Sequence, residues 1–395
     1  MISSPIASRS TSAAGNVDRP TVAVVGGGVI GLSAAWQLAE SGCQVDLFDD
    51  QLGRGASHAA AGMLAPVSEA AYGEDDLLTV GLESARVWPD FAARLGHASG
   101  IDVGYRPAGS LLVGHDPQDA AALRRHAALL AGHGLAAEPL TSRATRALEP
   151  ALSPRTTSGL LVPGDHSVEN RSLLRALAVA AERAGAHLHP QRVAVQVQDG
   201  RAVGVRTTVG TRHVADTVVV AAGIASGEIP GLPRHAVPLV RPVKGQIIRL
   251  AGGAGLLTRT VRALVAGEPV YLVPRESGEI VVGATCEDVG LDGRVTAGAT
   301  HALLRAAITV VPEVAELELV ESIARFRPTT PDNMPLIGTS CIDGLLLATG
   351  HYRGGILLAP VTARAVVDLV HRRPVDPSVQ ALSPQRFPSP AEVTS

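Results

Sequence analysis

Apolar residues change their spacing along the chain, and the changes mark out successive elements. Thr21–Val25 is a short β-branched run, Gly26, Gly27 and Gly28 form a tight turn, and Val29–Glu40 carries apolar residues at helical intervals. Gly42 stops that helix, and residues 43–48 alternate apolar and polar as a second strand that ends at Asp49 and Asp50. Strand, helix and strand in this order form a βαβ unit, whose crossover makes the two strands parallel neighbours. Further on, residues 59–63 read as a small-residue helical turn and 74–95 as an amphipathic helix interrupted by Pro89. A strand is expected over 105–113 and a helix over 117–131. A helix over 170–184 and strands over 191–198, 202–208 and 217–221 would complete the sheet begun at Thr21.

Between about 238 and 325 the texture changes. Strands are expected over 245–250, 270–274, 279–284 and 316–326, with one helix over 295–310, which suits an antiparallel sheet carrying a helix. An α/β pattern then returns, with a strand over 345–348 and a helix over 356–370. The 395 residues exceed what a single core usually serves. The expected fold class is therefore α/β. A Rossmann-type nucleotide-binding domain would be drawn from 19–95, 160–237 and 326–372, and a substrate domain with a mixed or antiparallel sheet from 96–159 and 238–325. Residues 1–18 and 373–395 are expected to be loose tails.

Composition narrows the function. Hydrophobic residues at 46% and charged residues at 18% fit a soluble globular protein. With a net charge of -3 and only short arginine pairs at 124–125 and 372–373, the chain lacks the basic stripe a nucleic-acid binder needs. No apolar run reaches the roughly 18 residues of a membrane span. Cys43, Cys286 and Cys341 are widely spaced, which suits a reduced compartment and offers no metal cluster, so a cytoplasmic protein without a metal is expected. Self-association into a homo-oligomer stays open.

Gly26, Gly28 and Gly31 fit the G-x-G-x-x-G pattern between a strand and the helix it opens. The first permits the turn, the second lets phosphate approach the backbone, and the third lets helix and strand pack closely. A pyrophosphate would meet the unpaired N–H groups of the helix start, and Asp49 stands where a carboxylate can take a ribose hydroxyl pair. The glycine loop alone fits FAD or NAD. The small-residue stretch from Gly53 to Met63 favours FAD, with Arg54 and Ser57 as candidate contacts to ribose or phosphate.

The segments VAVVGGGVIGLSAAWQLAESG (22–42), GASHAAAGMLAP (55–66), VYLVPRESGEIVVGAT (270–285), RFRPTTPDNMPLIG (325–338) and GHYRGGILLAP (350–360) resemble the D-amino acid oxidase superfamily of FAD enzymes. The likeness is to its glycine oxidase (ThiO) branch of thiamine biosynthesis. The resemblance implies noncovalent FAD, a bilobal fold, and oxidation of glycine to the imine with molecular oxygen as acceptor. It assigns the substrate carboxylate to Tyr271 and Arg327, and gives Arg353 a supporting role beside substrate and flavin. Met63 would lie next to the isoalloxazine. Val193, Gly223, Gly350, Gly354, Gly355 and Ile356 would also touch the cofactor. Glycines at 350, 354 and 355 would let N–H groups, and the positive end of the helix from Ile356, face the flavin carbonyl.

Two positions depart from the family. Cys286 stands where a bulkier methionine lines the pocket, and His58 replaces a small hydroxyl residue. His351, beside the turn, is expected to face solvent or to support Arg353. No cysteine lies within 325–332, where sarcosine-type relatives tether flavin. Once the substrate amine is neutral, its lone pair can drive hydride transfer from the α-carbon, so no dedicated protein base is expected. Among related activities, a D-amino acid dehydrogenase or a sarcosine-type oxidase remains the alternative, and a flavin-binding scaffold a remote one.

Overall fold

The structure, a computed structural model, describes residues 19–265 and 267–387. Thr21–Val25 lies inside a six-stranded sheet in the order Leu336–Thr339, Leu345–Thr349, Thr217–Val220, Thr21–Val25, Gln44–Phe48, His187–His189. All neighbours run parallel except the Leu336–Thr339 edge. Covered on both faces, the central strand is apolar throughout rather than alternating. Val22 and Val24 pack among the helices that include Val29–Glu40, Asn170–Arg183 and Ala359–Val370, while Ala23 and Val25 pack with Phe48, Val193 and Val205 on the other side.

That other side is a separate antiparallel sheet of Val193–Gln198, Arg201–Thr207 and Arg212–Val214. The expectation that these strands complete the first sheet is corrected here. Only Thr217–Val220, with the unanticipated His187–His189, joins it.

The second large sheet has eight strands, in the order Glu318–Thr329, Arg241–Ala251, Ile280–Gly283, Glu268–Pro274, Thr260–Val265, Ser110–Gly114, Ser158–Val162, Glu138–Thr141. It is mixed because Thr260–Val265 and Ser110–Gly114 run parallel. Ala297–Val310 covers one face through Leu303, Ala307 and Val310. The boundaries expected at 160 and 326 fall inside Ser158–Val162 and Glu318–Thr329, both strands of this sheet.

Three local expectations also change. Asp75–Ser99 runs unbroken through Pro89, since Trp88, Phe91 and Leu95 bury their side chains around it and outweigh one lost backbone bond. The turn expected over 59–63 is a short helix, Ala56–Ala59, followed by extended chain that pairs Met63 with Ser167. The segment after 372 is not a loose tail up to 387. Pro377–Gln380 is helical, Val379 and Leu382 are buried, and Arg386 donates to Asp332 at 2.7 and 3.0 Å and to the Met334 carbonyl at 2.7 Å. Residues 1–18 and 388–395, where the rest of the expected tails fall, lie outside the described residues.

The two large sheets are tied by buried cations. Arg275 donates to the carbonyls of Val168 at 2.7 Å and Ala61 at 2.6 Å, and burial lowers its pKa to about 10. Arg249, also buried, donates to Asn170 Oδ1 at 3.0 Å and pairs with Glu279. Asn170 in turn donates to the carbonyls of Ser57 and His58 at 2.8 and 2.9 Å. The terminal guanidinium nitrogens of Arg275 and Arg249 and the Asn170 amide all find partners here, while the Nε atoms of both arginines are left without a hydrogen bond among the described residues, and the network fixes the 56–61 segment.

Candidate active site

The glycine loop has the geometry its spacing implied. Gly26 holds φ at +111°, and a Cβ there would strike the Ala221 carbonyl; one on Gly31 would strike the Gly26 carbonyl. Gly28 precedes the first residue of Val29–Glu40. Ser57 Oγ accepts from Val29 N at 3.1 Å, which places its hydroxyl at the positive end of the helix. Asp49 accepts from Gly27 N at 2.6 Å and Gln51 N at 2.7 Å. It therefore fixes the loop, and its remaining lone pairs stay available to ribose hydroxyls. Arg54 is exposed and contributes its carbonyl to Arg325 Nε at 2.9 Å.

Strand register brings the two carboxylate candidates to one face of the eight-stranded sheet. Tyr271 stands opposite Gly283, Gly283 opposite Ile247, and Ile247 opposite Ile323. Two residues along, Gly245 stands opposite Arg325, and two further Val243 stands opposite Arg327, so all share a face. A glycine lies under each functional side chain. The Arg327 guanidinium lies over Gly245, where a Cβ would come within 2.6 Å of Nη1 and Nη2, and the Tyr271 phenol lies over Gly283. Arg327 Nη1 donates to the Thr285 carbonyl at 3.0 Å. Burial pushes the Tyr271 hydroxyl above its ordinary pKa, against the opposing pull of Arg327, so the phenol stays neutral and can donate.

Met63 packs in the same apolar cluster, with Tyr271, Ile247, Val281 and Ile323. Arg262, opposite Tyr271, pairs with Glu69 at 2.8 Å and lies 3.6 Å from the Met63 sulfur. Cys286 is exposed, with its sulfur 3.6 Å from the Tyr352 hydroxyl. His58, at the expected departure from the family, has its pKa lowered by burial first and by Arg171 second.

The turn before the last long helix differs from expectation. The helix starts at Ala359, not Ile356. Gly350 holds φ at +74°, with Thr330 Cγ2 2.6 Å from where a Cβ would lie. Gly354 N donates to the His351 carbonyl at 2.8 Å and is committed, whereas the N–H groups of Gly355 and Ile356 make no hydrogen bond among the described residues. Ser84 Oγ and Trp88 Nε1 both donate to the Leu357 carbonyl, at 2.6 and 2.7 Å, and set this turn.

His351 is buried rather than solvent-facing. Its Nε2 meets Thr362 Oγ1 at 3.0 Å, and burial drives its pKa to about 3. Arg353 turns toward Glu74 at 3.6 Å, where it lines a shallow hollow with Leu77, Asn333 and Leu357. Its guanidinium lies 5.1 Å from the centre of the Tyr352 ring, which keeps it on the loop beside Cys286. Tyr352, with φ at +45°, is the residue of this loop that stands beside Cys286. Val193 is buried in the core behind Phe48, and Gly223, at φ +56°, offers its carbonyl to Thr349 at 3.2 Å.

Residues 21–369 match the FAD dependent oxidoreductase family. The chain belongs to it. A glycine oxidase of Geobacillus kaustophilus is 35% identical over 90% of this chain and 94% of its own length. A crystal structure of glycine oxidase from Geobacillus kaustophilus superposes with a TM-score of 0.85 at 34% identity, covering 93% of this chain and 99% of that one. The bifunctional protein ThiO/ThiG of Trichormus variabilis is 34% identical over 94% of this chain, which spans 56% of that relative's length.

As a family member the chain is an FAD-dependent oxidoreductase with a mixed α/β fold of the kind seen in glycine oxidase. Its residues fit FAD. The close backbone at Gly26, Gly28 and Gly31 and the Ser57 hydroxyl suit a pyrophosphate, Asp49 suits a ribose, and the uncommitted N–H groups of Gly355 and Ile356 suit a carbonyl that gains negative charge. Gly245 and Gly283 escaped sequence reasoning although glycine inside a strand signals close approach of another group. Tyr352, Arg262 and the Asn170–Arg249–Arg275 network carried no usable spacing, because each partner comes from a different segment.

Proposed function

We propose that the chain oxidises glycine, and other small amino acids of similar bulk, to the imine. Molecular oxygen is the acceptor, and hydrogen peroxide and, after hydrolysis, glyoxylate and ammonia are the products. The reading places the reaction in the cytoplasm, feeding thiazole formation in thiamine biosynthesis. Among the described residues no helix is long and apolar enough to cross a membrane. The observation that carries the proposal is the pair of glycine-floored side chains, Arg327 over Gly245 and Tyr271 over Gly283, on one face of the substrate sheet.

A guanidinium fork and a neutral phenol together suit a carboxylate, and the apolar side chains of Met63, Ile247 and Ile323 beside them exclude water from the α-carbon. Bound FAD supplies the two-electron acceptor. The protein's part is to anchor the carboxylate, aim the α-carbon and admit the amine in its neutral form. Glu69, the acid whose charge reaches Tyr271, is paired with Arg262, so no free base is assigned. Cys43 lies against Ser41 and His371, and Cys341 against the His235 carbonyl, which supports noncovalent flavin.

Anaerobic titration tests the reading. Glycine should bleach the flavin absorbance stoichiometrically, with sarcosine and D-alanine following and D-proline weaker. R327A should lose at least about 30-fold in kcat/KM, the equivalent of about 2 kcal/mol for one member of a desolvated charge pair. A flavin that no small amino acid bleaches would overturn it.

A further inference from the structure

Away from the flavin cleft, a carboxylate is ringed by imidazoles where three strands of two different sheets meet. Asp46 on Gln44–Phe48 has its Oδ1 2.6 Å from His189 Nε2 and 3.5 Å from His187 Nδ1, and its Oδ2 3.8 Å from His213 Nδ1. One ligand atom from each of Asp46, His189 and His213 lies within 4.8 Å of the others. Register puts Asp46 opposite His187 and Phe48 opposite His189, so these side chains share the face on which the small antiparallel sheet, carrying His213, is laid. Phe48 holds both imidazoles, stacked on His189 at 4.6 Å and edge-on to His213 at 4.9 Å.

We propose that Asp46, His189 and His213 form a binding site for a divalent transition-metal ion of the zinc class, with His187 or water as fourth ligand. A neutral imidazole has one donor and one acceptor nitrogen, and a carboxylate only accepts. In the tautomers that turn their lone pairs inward, these groups offer a cation a carboxylate oxygen and two imidazole nitrogens in place of the 2.6 Å hydrogen bond that His189 and Asp46 now share. Imidazole with carboxylate favours zinc and its neighbours over magnesium or calcium. Metal–ligand bonds of about 2.0–2.1 Å set tetrahedral ligand atoms roughly 3.3 Å apart. Binding therefore parts Asp46 Oδ1 from His189 Nε2 by roughly 0.7 Å and draws His213, whose Nδ1 is 3.8 Å from Oδ2, toward the ion. His187 is largely exposed and needs only a rotamer change to join. The site was invisible to cysteine spacing, because its ligands are 143 and 167 positions from Asp46 in the sequence or sit on a strand, His187–His189, that was not anticipated.

The test is zinc chloride titrated into tag-free, FAD-loaded protein and followed by calorimetry and thermal melting, with cobalt(II) absorption as a second probe. One equivalent should bind at micromolar or tighter concentration, raise the melting temperature, and be lost in D46N and H213N. Cobalt should give the intense visible bands of a four-coordinate site. Wild-type protein that binds no zinc at micromolar concentration would overturn the proposal. So would equal binding by folded D46N and H213N, which would place the ion among the other histidines. If either variant fails to fold, the wild-type cobalt spectrum decides, and weak six-coordinate bands count against the site.

Discussion

Replacing Gly245 with alanine would move Arg327 without removing it. A Cβ at this position would come within 2.6–2.7 Å of Nη1, Nη2 and Cζ of the guanidinium, whereas ordinary contact begins at 3.4 Å. The guanidinium must retreat by about 0.8 Å, giving up its 3.0 Å bond to the Thr285 carbonyl. Because the displaced atoms are the far end of a flexible side chain, the fold should tolerate the change, with a melting temperature within about 2–4 °C of wild type. Catalysis should not. A displacement of about 1 Å in a substrate-positioning group costs on the order of 100-fold, so kcat/KM for glycine should fall about 30- to 100-fold, equivalent to about 2–3 kcal/mol.

The assay is oxygen consumption at varied glycine with flavin content checked by absorbance. A double-mutant cycle sharpens it: once R327A has removed the guanidinium, adding G245A should cost little more. A flavin-loaded G245A enzyme within about twofold of wild type, or losses that multiply in the double variant, would show that the guanidinium over Gly245 does not position the substrate.

Three further outcomes are expected. Acid denaturation should release FAD into the supernatant, and flavin that migrates with the polypeptide in a denaturing gel would contradict noncovalent binding. His351 is held at about 3 in the fold against about 6.5 unfolded, so the unfolded chain binds the extra proton between these values. Its contribution to stability is therefore full above pH 6.5 and is lost as the pH falls toward 3. H351N should flatten the fall in urea midpoint between pH 7 and pH 5, and an unchanged slope would assign the acid sensitivity elsewhere. C286M should lower kcat/KM for D-alanine or sarcosine more than for glycine, by the 10-fold or so that a methylene is worth in a pocket of about 1–3 kcal/mol discrimination. Equal losses on all three would place residue 286 outside the selective wall.

The nucleotide unit was legible because its signals are local. Thr21–Val25 and Val29–Glu40 were read to their ends, since β-branched run, glycine turn and apolar periodicity lie within 20 residues of one another. Tyr271 and Arg327 were named through the motifs around them, and strand register lays both on one face of the eight-stranded sheet. The strands Thr260–Val265, Glu138–Thr141 and Ser158–Val162 were not legible, being short, the first interrupted by Arg262, the second carrying Pro139 and the third opening on Ser158 and Gly159. The docked 377–387 segment looked like a tail because it is rich in Pro, Ser and Gln. What holds it is Arg386 on Asp332, 54 residues away in the chain, and no local pattern reports that pairing. Arg353 shows the converse: a motif places the residue near the flavin turn, but the partner that orients its side chain, Glu74, comes from a different part of the sequence.

Arg275 and Arg249 sit between the halves, and this constrains how substrate can enter. Their partners, the carbonyls of Ala61 and Val168 and the amide of Asn170, belong to the opposite half of the molecule. Parting the two sheets would pull the guanidiniums off these acceptors, at about 1.5–3 kcal/mol for each charge-assisted hydrogen bond lost, while Arg249 would keep Glu279 from its own half. Clamshell breathing is thereby suppressed at the outset of the motion, where a hinge enzyme would need it to be soft. On the proposed function, substrate would then pass a fixed aperture, and side chains such as Cys286 and Tyr352, in contact at 3.6 Å, would limit its size more than the swing of two lobes does.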